Sequence, residues 1–305
     1  MNGDERSGFA RHDRAPELDS EPLEIRTRDG VTLAATVLEP RGSEHGALGS
    51  VIMAHAMFAR QSAFKLVAPL FRDRGWRVVT FDFRGHGKSA ASDWGYDDFV
   101  ERDLPAVVEC VRARNERGPV ALVGHSLGGH VALAAQGSKL VALDALVLAA
   151  GANLWLRDFE PNAAIWAAKR AIMDGFVRTA RRFGRFPARA LRIGSDDESL
   201  AYVEDLARFT IDGRWCSRDG TRNYLSALTE VTIPIFSIAS EGDRINARPV
   251  CVERMLARCR GPLHIERVTK SDDGSRAPGH GALVASRRAL SAFARAESFL
   301  RSVSP

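Results

Sequence analysis

The sequence predicts an α/β fold: a mostly parallel, doubly wound sheet of about eight strands, with a helical segment inserted after the sixth strand. Three observations predict it. Short apolar runs, such as SVIMAHA (50–56) and VALVG (120–124), alternate with helix-length amphipathic segments. Strands that are apolar throughout and separated by helices imply a parallel sheet covered on both faces. That rhythm stops at Gly151 and resumes at IPIFSIAS (233–240), leaving about 80 residues outside the strand series. A serine bracketed by glycines also stands between one buried strand and an Ala-rich helix.

Composition bounds the alternatives. The chain has 305 residues, 45% hydrophobic and 27% charged, with 26 Gly and 13 Pro, which excludes wholesale disorder and a collagen-like fibre. That length buries one large core, with or without a smaller subdomain. No stretch reaches the ~18–20 apolar residues of a membrane span; the richest, Leu140–Leu156, is interrupted by Asp144. The amino terminus mixes both charge signs and lacks an apolar core, so no secretory signal is read and a cytoplasmic location is expected. Net charge is +5, and only five of the 43 basic residues are lysines. This arginine skew, with abundant Ala, fits codon bias, and without a recognised module no nucleic-acid partner is expected. Cys110, Cys216, Cys251 and Cys259 lack CxxC spacing and are read as buried thiols, with no zinc site or disulfide frame.

Along the chain, residues 1–22 read as a flexible tail. LEIRTRDGVTLAATVLEP, with Arg28-Asp29-Gly30 at its centre, reads as a hairpin. Then follow the strand 50–56, a helix over 62–75 ended by Gly75, a strand over 76–81 and a helix over 96–115. The strand 120–124, a helix over 127–137 and the strand 143–150 complete the first block. Residues 23–150 and 233–305 therefore form the expected core, and 151–232 a helical cap. The second block holds the strand 233–240, a helix around 247–260, the strand-like LHIERVT (263–269) and one long closing helix over 282–303.

Gly124-His125-Ser126-Leu127-Gly128 carries the chemistry. A nucleophilic serine must stand proud of the backbone on a tight strand-to-helix turn, and its neighbours must be glycine where side chains would collide with strand and helix. The helix amino terminus behind it supplies free N–H groups and partial positive charge. Leu127 N–H is thus one expected oxyanion donor, and Met57 N–H, in the loop after the strand 50–56, the second. A serine nucleophile needs a base and an orienting carboxylate, in chain order Ser, acid, His for this architecture. Asp243 in EGDR follows the strand 233–240, and His280 in APGHGAL follows the last strand, each beside glycines that suit a sharp turn. Asp243 also reads as a plain turn or capping residue, with Asp158 as reserve acid. His55, His86, His125, His130 and His264 compete with His280 as base, but His125 and His130 are aimed away by the elbow and His264 lies in a strand.

These residues resemble the α/β-hydrolase fold serine hydrolases. The likeness rests on GHSLGG around Ser126, AHAMF at the oxyanion loop, DFRGHGKS (82–89), EGD before the acid and GHG at the base. It covers roughly 23–303, weakly over 151–232. Within the superfamily the chain is similar to largely uncharacterised bacterial hydrolases, through RFGRFPAR (182–189) and FTIDGRW (209–215). The family usually has His-Gly where this chain has His55-Ala56, a narrower backbone choice. Gly87-Lys88-Ser89 mimics the end of a phosphate-binding loop, but Asp82 stands where its first glycine belongs. His125 and His130 lack the i, i+4 spacing of paired ligands, so no metal and no cofactor are implied.

The resemblance implies that the insertion forms a lid. Its Trp155, Trp166, Phe176, Phe183, Phe186 and Trp215 either line an apolar acyl pocket or pack the lid onto the sheet. Phe58, His125, Trp155 and Trp166 are the expected substrate contacts. Six arginines between Arg178 and Arg192, with no acid among them, read as a solvated face or as a preference for anionic esters. The expected function is carboxylic ester hydrolysis through Ser126, His280 and Asp243, on a small-molecule ester with an apolar acyl part. Thioesterase, amidase and acyltransferase chemistry on the same triad remain open, as does a non-catalytic ligand-binding role. A homodimer is kept in view, with nothing in the sequence fixing the oligomeric state.

Overall fold

The computed structural model describes residues 20–41, 46–91, 93–114 and 118–303. β1 (Ser20–Arg26) and β2 (Thr32–Leu38) form an antiparallel hairpin, with Gly30 at φ +85° in its turn. β3 (Ser50–Ala54), α1 (Val67–Arg72), β4 (Arg77–Phe81), the single turn α2 (Tyr96–Asp98), α3 (Leu104–Arg114), β5 (Val120–His125), α4 (Leu127–Gly137) and β6 (Ala145–Ala149) follow. Between β6 and the next sheet strand lie α5 (Ala163–Phe183), the two-residue strands β7 (Arg185–Phe186) and β8 (Glu198–Ser199), α6 (Leu200–Asp212) and the single turn α7 (Tyr224–Ala227). β9 (Ile235–Ser240), α8 (Pro249–Leu256), β10 (Leu263–Val268), the short α9 (Ala282–Ala285) and α10 (Leu290–Val303) complete the chain.

The eight-stranded sheet has the order β1-β2-β4-β3-β5-β6-β9-β10. β1 and β2 are antiparallel to their neighbours, and the other pairings are parallel. β3, β5, β6 and β9 are buried at every residue, the mark of a sheet covered on both faces. α1 packs against α10, and α3 against α4. Truncating a side chain such as Ile52 or Leu146, both fully buried, would cost about 2–5 kcal/mol.

Several local expectations need correcting. Ser20–Pro22 belong to β1 and not to a tail; residues 1–19 of that expected tail lie outside the described residues. The helix expected over 62–75 is a 3-10 turn, Gln61–Phe64, followed by α1, because Pro69 has no N–H for the Lys65 carbonyl. The helix expected over 96–115 contains a π turn at Phe99–Asp103, directly before Pro105, which likewise offers no N–H to Glu101. The long closing helix is broken at Ser286, which is extended (φ −129°, ψ 164°) and caps the next turn by accepting from Arg288 N–H. The insertion is not purely helical, since β7 and β8 pair in it. Its two long helices are nonetheless locally specified. Asn162 and Ser199 cap their starts, and Gly184 and Gly213 end them in the left-handed conformation.

Among the described residues, no helix is long and apolar enough to cross a membrane.

Candidate active site

Ser126 occupies the turn between β5 and α4 at φ +51°, ψ −112°, a strained conformation for a non-glycine residue. Neighbouring glycines make that turn fit. A Cβ on Gly128 would lie 2.2 Å from the Ala54 carbonyl oxygen, and one on Gly124 2.6 Å from the Gly129 backbone. Gly128 N–H donates to His55 O at 3.0 Å, tying the elbow to the loop after β3.

Three sequence-distant side chains meet here. His280 Nε2 lies 2.8 Å from Ser126 Oγ, and His280 Nδ1 2.5 Å from Asp243 Oδ2. Asp243 sits in the turn after β9, where Gly242 is needed: a Cβ there would come within 2.2 Å of Ala277 O. Gly279 and Gly281 differ from expectation, because each has room for a Cβ and neither adopts a positive φ. Ser240 Oγ donates to Pro278 O at 2.6 Å, binding the acid loop to the His280 loop. Burial pushes the Asp243 carboxyl up. The hydrogen bond and charge of His280, with the Ala247 and Asn246 N–H groups, outweigh it and hold the carboxyl below the usual range. Asp158 takes no part in this chain of bonds; it is largely exposed and faces Arg258 at 3.6 Å.

The site opens on a cavity of about 350 Å³. Ser126, Leu127, Met57 and His280 lie at one end, and Leu154, Met173, Phe176 and Leu206 form apolar walls. Among the described residues neither Met57 N–H nor Leu127 N–H has a hydrogen-bond partner. Trp155 and Phe58 also line the cavity.

Two expected substrate contacts do not. His125 lies behind His280, donating from Nε2 to the His280 carbonyl at 3.1 Å, with the two rings 5.2 Å apart. Burial, then the charge of His280, holds it down to about 3, so it is a neutral tether. Trp166 is set on α5 two turns before Met173, roughly 10 Å along the helix axis, and is not part of the lining. Of the other aromatic residues of the insertion, Phe183 is 63% exposed and Trp215 is fully buried against Tyr224. Phe186 packs on Phe58 and Phe176. The six arginines from Arg178 to Arg192 are all exposed, away from the cavity lining.

Sequence reasoning missed three participants. Asn153, after β6, donates from Nδ2 to Ser126 Oγ at 2.9 Å. His55 shapes the loop after β3: its Nε2 accepts from Phe83 N–H at 3.0 Å, which leaves its Nδ1–H to donate to Ala56 O at 2.8 Å. Glu198, fully buried in the insertion, accepts from Phe58 N–H at 2.7 Å and faces His86 Nε2 at 3.0 Å. Ser195 and Asp196 N–H groups donate to Phe58 O, so both backbone groups of Phe58 are held. The left-handed conformation of this loop falls on Phe58 (φ +64°) and not on Ala56, so alanine in the family's usual glycine place is accommodated. Burial lowers His86, but the charge and hydrogen bond of Glu198 outweigh it and lift the imidazole to about 9. Only an Asn shortly after a strand and the HG-like His55 gave any local sign of these roles; Glu198 gave none.

Gly87-Lys88-Ser89 is structural. Asp82 accepts from Gln61 and Lys88 N–H groups, and Ser89 Oγ bridges Asp82 O and Ala34 N–H.

Comparison with known proteins matches residues 51–296 to the sequence model of the alpha/beta hydrolase family. Protein phosphatase methylesterase 1 of Candida albicans is 31% identical over 165 residues, 53% of this chain and 42% of that protein. The sn-1-specific diacylglycerol lipase ABHD11 of Danio rerio is 32% identical over 143 residues, 47% of this chain and 41% of that protein. The chain thus spans less than half the length of these curated relatives. An esterase structure from Exiguobacterium antarcticum superposes with a TM-score of 0.59 at 18% identity, covering 92% of this chain and 98% of that one, a likeness of fold.

Proposed function

This chain belongs to the alpha/beta hydrolase family, and from that premise we propose that it hydrolyses carboxylic esters through a Ser126 nucleophile. The observation that carries the reading is the unbroken Asp243–His280–Ser126 hydrogen-bond chain at the end of an apolar cavity. The similarity to a methylesterase and a lipase supports the substrate class without assigning it.

The chemistry follows from the bonds. Asp243 accepts a hydrogen bond from His280 Nδ1–H, which keeps that proton on Nδ1 and leaves Nε2 free to take the Ser126 proton. Asn153 donates to Ser126 Oγ, so the hydroxyl hydrogen is directed toward His280. Ser126 Oγ attacks the acyl carbonyl as His280 takes its proton, and Leu127 and Met57 N–H groups receive the oxyanion. His280 gives that proton to the departing alcohol. A water then attacks the acyl enzyme, with His280 again as base and Ser126 as leaving group.

In this reading residues 151–232 act as the cap, α5 and α6 supplying the wall that receives the acyl chain. An apolar cavity suits an acyl part without charge. The test is turnover of a 4-nitrophenyl ester chain-length series by the wild type and Ser126→Ala. Saturable turnover abolished in the variant supports the reading; equal rates, or none in either protein, would remove it.

A further inference from the structure

Within the apolar wall of the cavity stands one histidine that the proposed reaction does not use. His130 lies one turn of α4 after Ser126, on the same helix face, and is only 5% exposed while lining the cavity. Its Nδ1 is 2.9 Å from the hydroxyl of Tyr96, whose ring stacks on it with centroids 5.5 Å apart. Tyr96 is itself fully buried, wedged edge-on against Phe209.

The partners assign the tautomer. The Trp215 indole, the other side chain acting on the Tyr96 hydroxyl, can only donate, so among the described residues His130 Nδ1 is the acceptor that this hydroxyl meets. The Tyr96 proton therefore goes to His130 Nδ1, which must accept, and the ring's own proton resides on Nε2. Nε2 has no protein partner among the described residues. Burial, then the charge of His280, holds the ring down to about 3, so His130 stays neutral through the working pH range. In the same wall the hydroxyl of Tyr202 is buried without a partner. Leu154, Met173, Phe176 and Leu206 offer neither group an acceptor.

Resting on the ester-hydrolase reading, we infer that the preferred acyl group carries an uncharged carbonyl oxygen, bound by His130 Nε2–H within the apolar cavity. A plain alkyl chain would leave a desolvated donor without an acceptor, which is unfavourable. A carboxylate would have to shed its hydration in a chamber whose lining has no lysine or arginine. A keto oxygen meets the donor at little desolvation penalty. One helical turn, ~5.4 Å, separates the two residues along α4, so the oxygen belongs a few carbons beyond the scissile carbonyl.

The test compares aryl esters of hexanoate, 4-oxohexanoate and 5-oxohexanoate on the wild type, His130→Leu and His130→Gln. Remote oxo groups barely alter the reactivity of the ester carbonyl. The wild type should favour one oxo ester over hexanoate by about tenfold in kcat/KM. His130→Leu should cost the favoured oxo ester about tenfold more in kcat/KM than it costs hexanoate, and His130→Gln, which restores a donor, should recover part of that difference. Affinity of the matching methyl esters for Ser126→Ala, read by thermal shift, reports the same preference without turnover. Preference in binding with no turnover by the wild type would overturn the ester reading and leave the His130 site standing. No oxo preference in binding or turnover, or equal losses on all three esters in His130→Leu, would overturn the His130 site.

Discussion

Phe58 N–H donates to Glu198 Oε1 at 2.7 Å across 140 residues of sequence. That bond joins the loop bearing Met57 to the segment inserted after β6, so the proposed oxyanion hole depends on the insertion being seated. Glu198 is a positioning residue in this account, acting through Phe58.

Glu198→Ala should therefore lower kcat by about tenfold or more while KM changes little, since it strands Phe58 N–H and a buried His86 imidazolium. Glu198→Gln keeps an acceptor for Phe58 and should recover part of kcat. Steady-state kinetics of both variants, with Tm recorded beside them, checks this; parallel losses in kcat and KM would point to a general structural role.

The same pair gives a pH dependence. His86 is raised to about 9 in the folded protein, above the ~6.5 of an unfolded histidine. A raised value means the protonated form is favoured by folding. Its contribution is complete below ~6.5 and is lost as pH climbs through about 9. Wild-type Tm should fall more steeply between pH 7 and 10 than that of His86→Gln. Superimposable slopes would contradict the pairing.

Asp243→Asn keeps the shape of the acid but removes its charge and favours the wrong imidazole tautomer. A loss of about 10³- to 10⁴-fold in kcat is expected, with the fold retained by circular dichroism. Retained activity would return Asp243 to a mere turn residue.

Gly128→Ala places a methyl group 2.2 Å from Ala54 O, where two backbone segments cannot part without disturbing β3 and β5. Tm should drop by several degrees, and the elbow should lose labelling by acyl-site reagents. An unchanged Tm would mean the elbow is looser than its contacts imply.

The elements that local pattern specifies were legible. Apolar runs gave β3, β5, β6 and β9, and the glycine-flanked serine gave the β5–α4 turn. Ser126, Asp243 and His280 were picked out by chain order, and the structure brings them together. Local pattern could not find Glu198, because its partners Phe58 and His86 are more than 100 residues away. It mistook His125 for a substrate contact, since adjacency to the nucleophile does not say which way a strand's last residue points. Trp166 shows the converse: an aromatic on the right helix can still be absent from the cavity lining. The breaks at Pro69, Pro105 and Ser286 carried signals, two prolines and a capping serine, that periodicity alone passed over.

The measurement that tests the central claim most directly is intact-mass analysis after fluorophosphonate treatment of wild type, Ser126→Ala and His280→Ala. The account predicts one adduct per chain on the wild type, none on Ser126→Ala and labelling slowed by orders of magnitude on His280→Ala. Absence of an adduct on the wild type, or an equal adduct on Ser126→Ala, would contradict an activated Ser126.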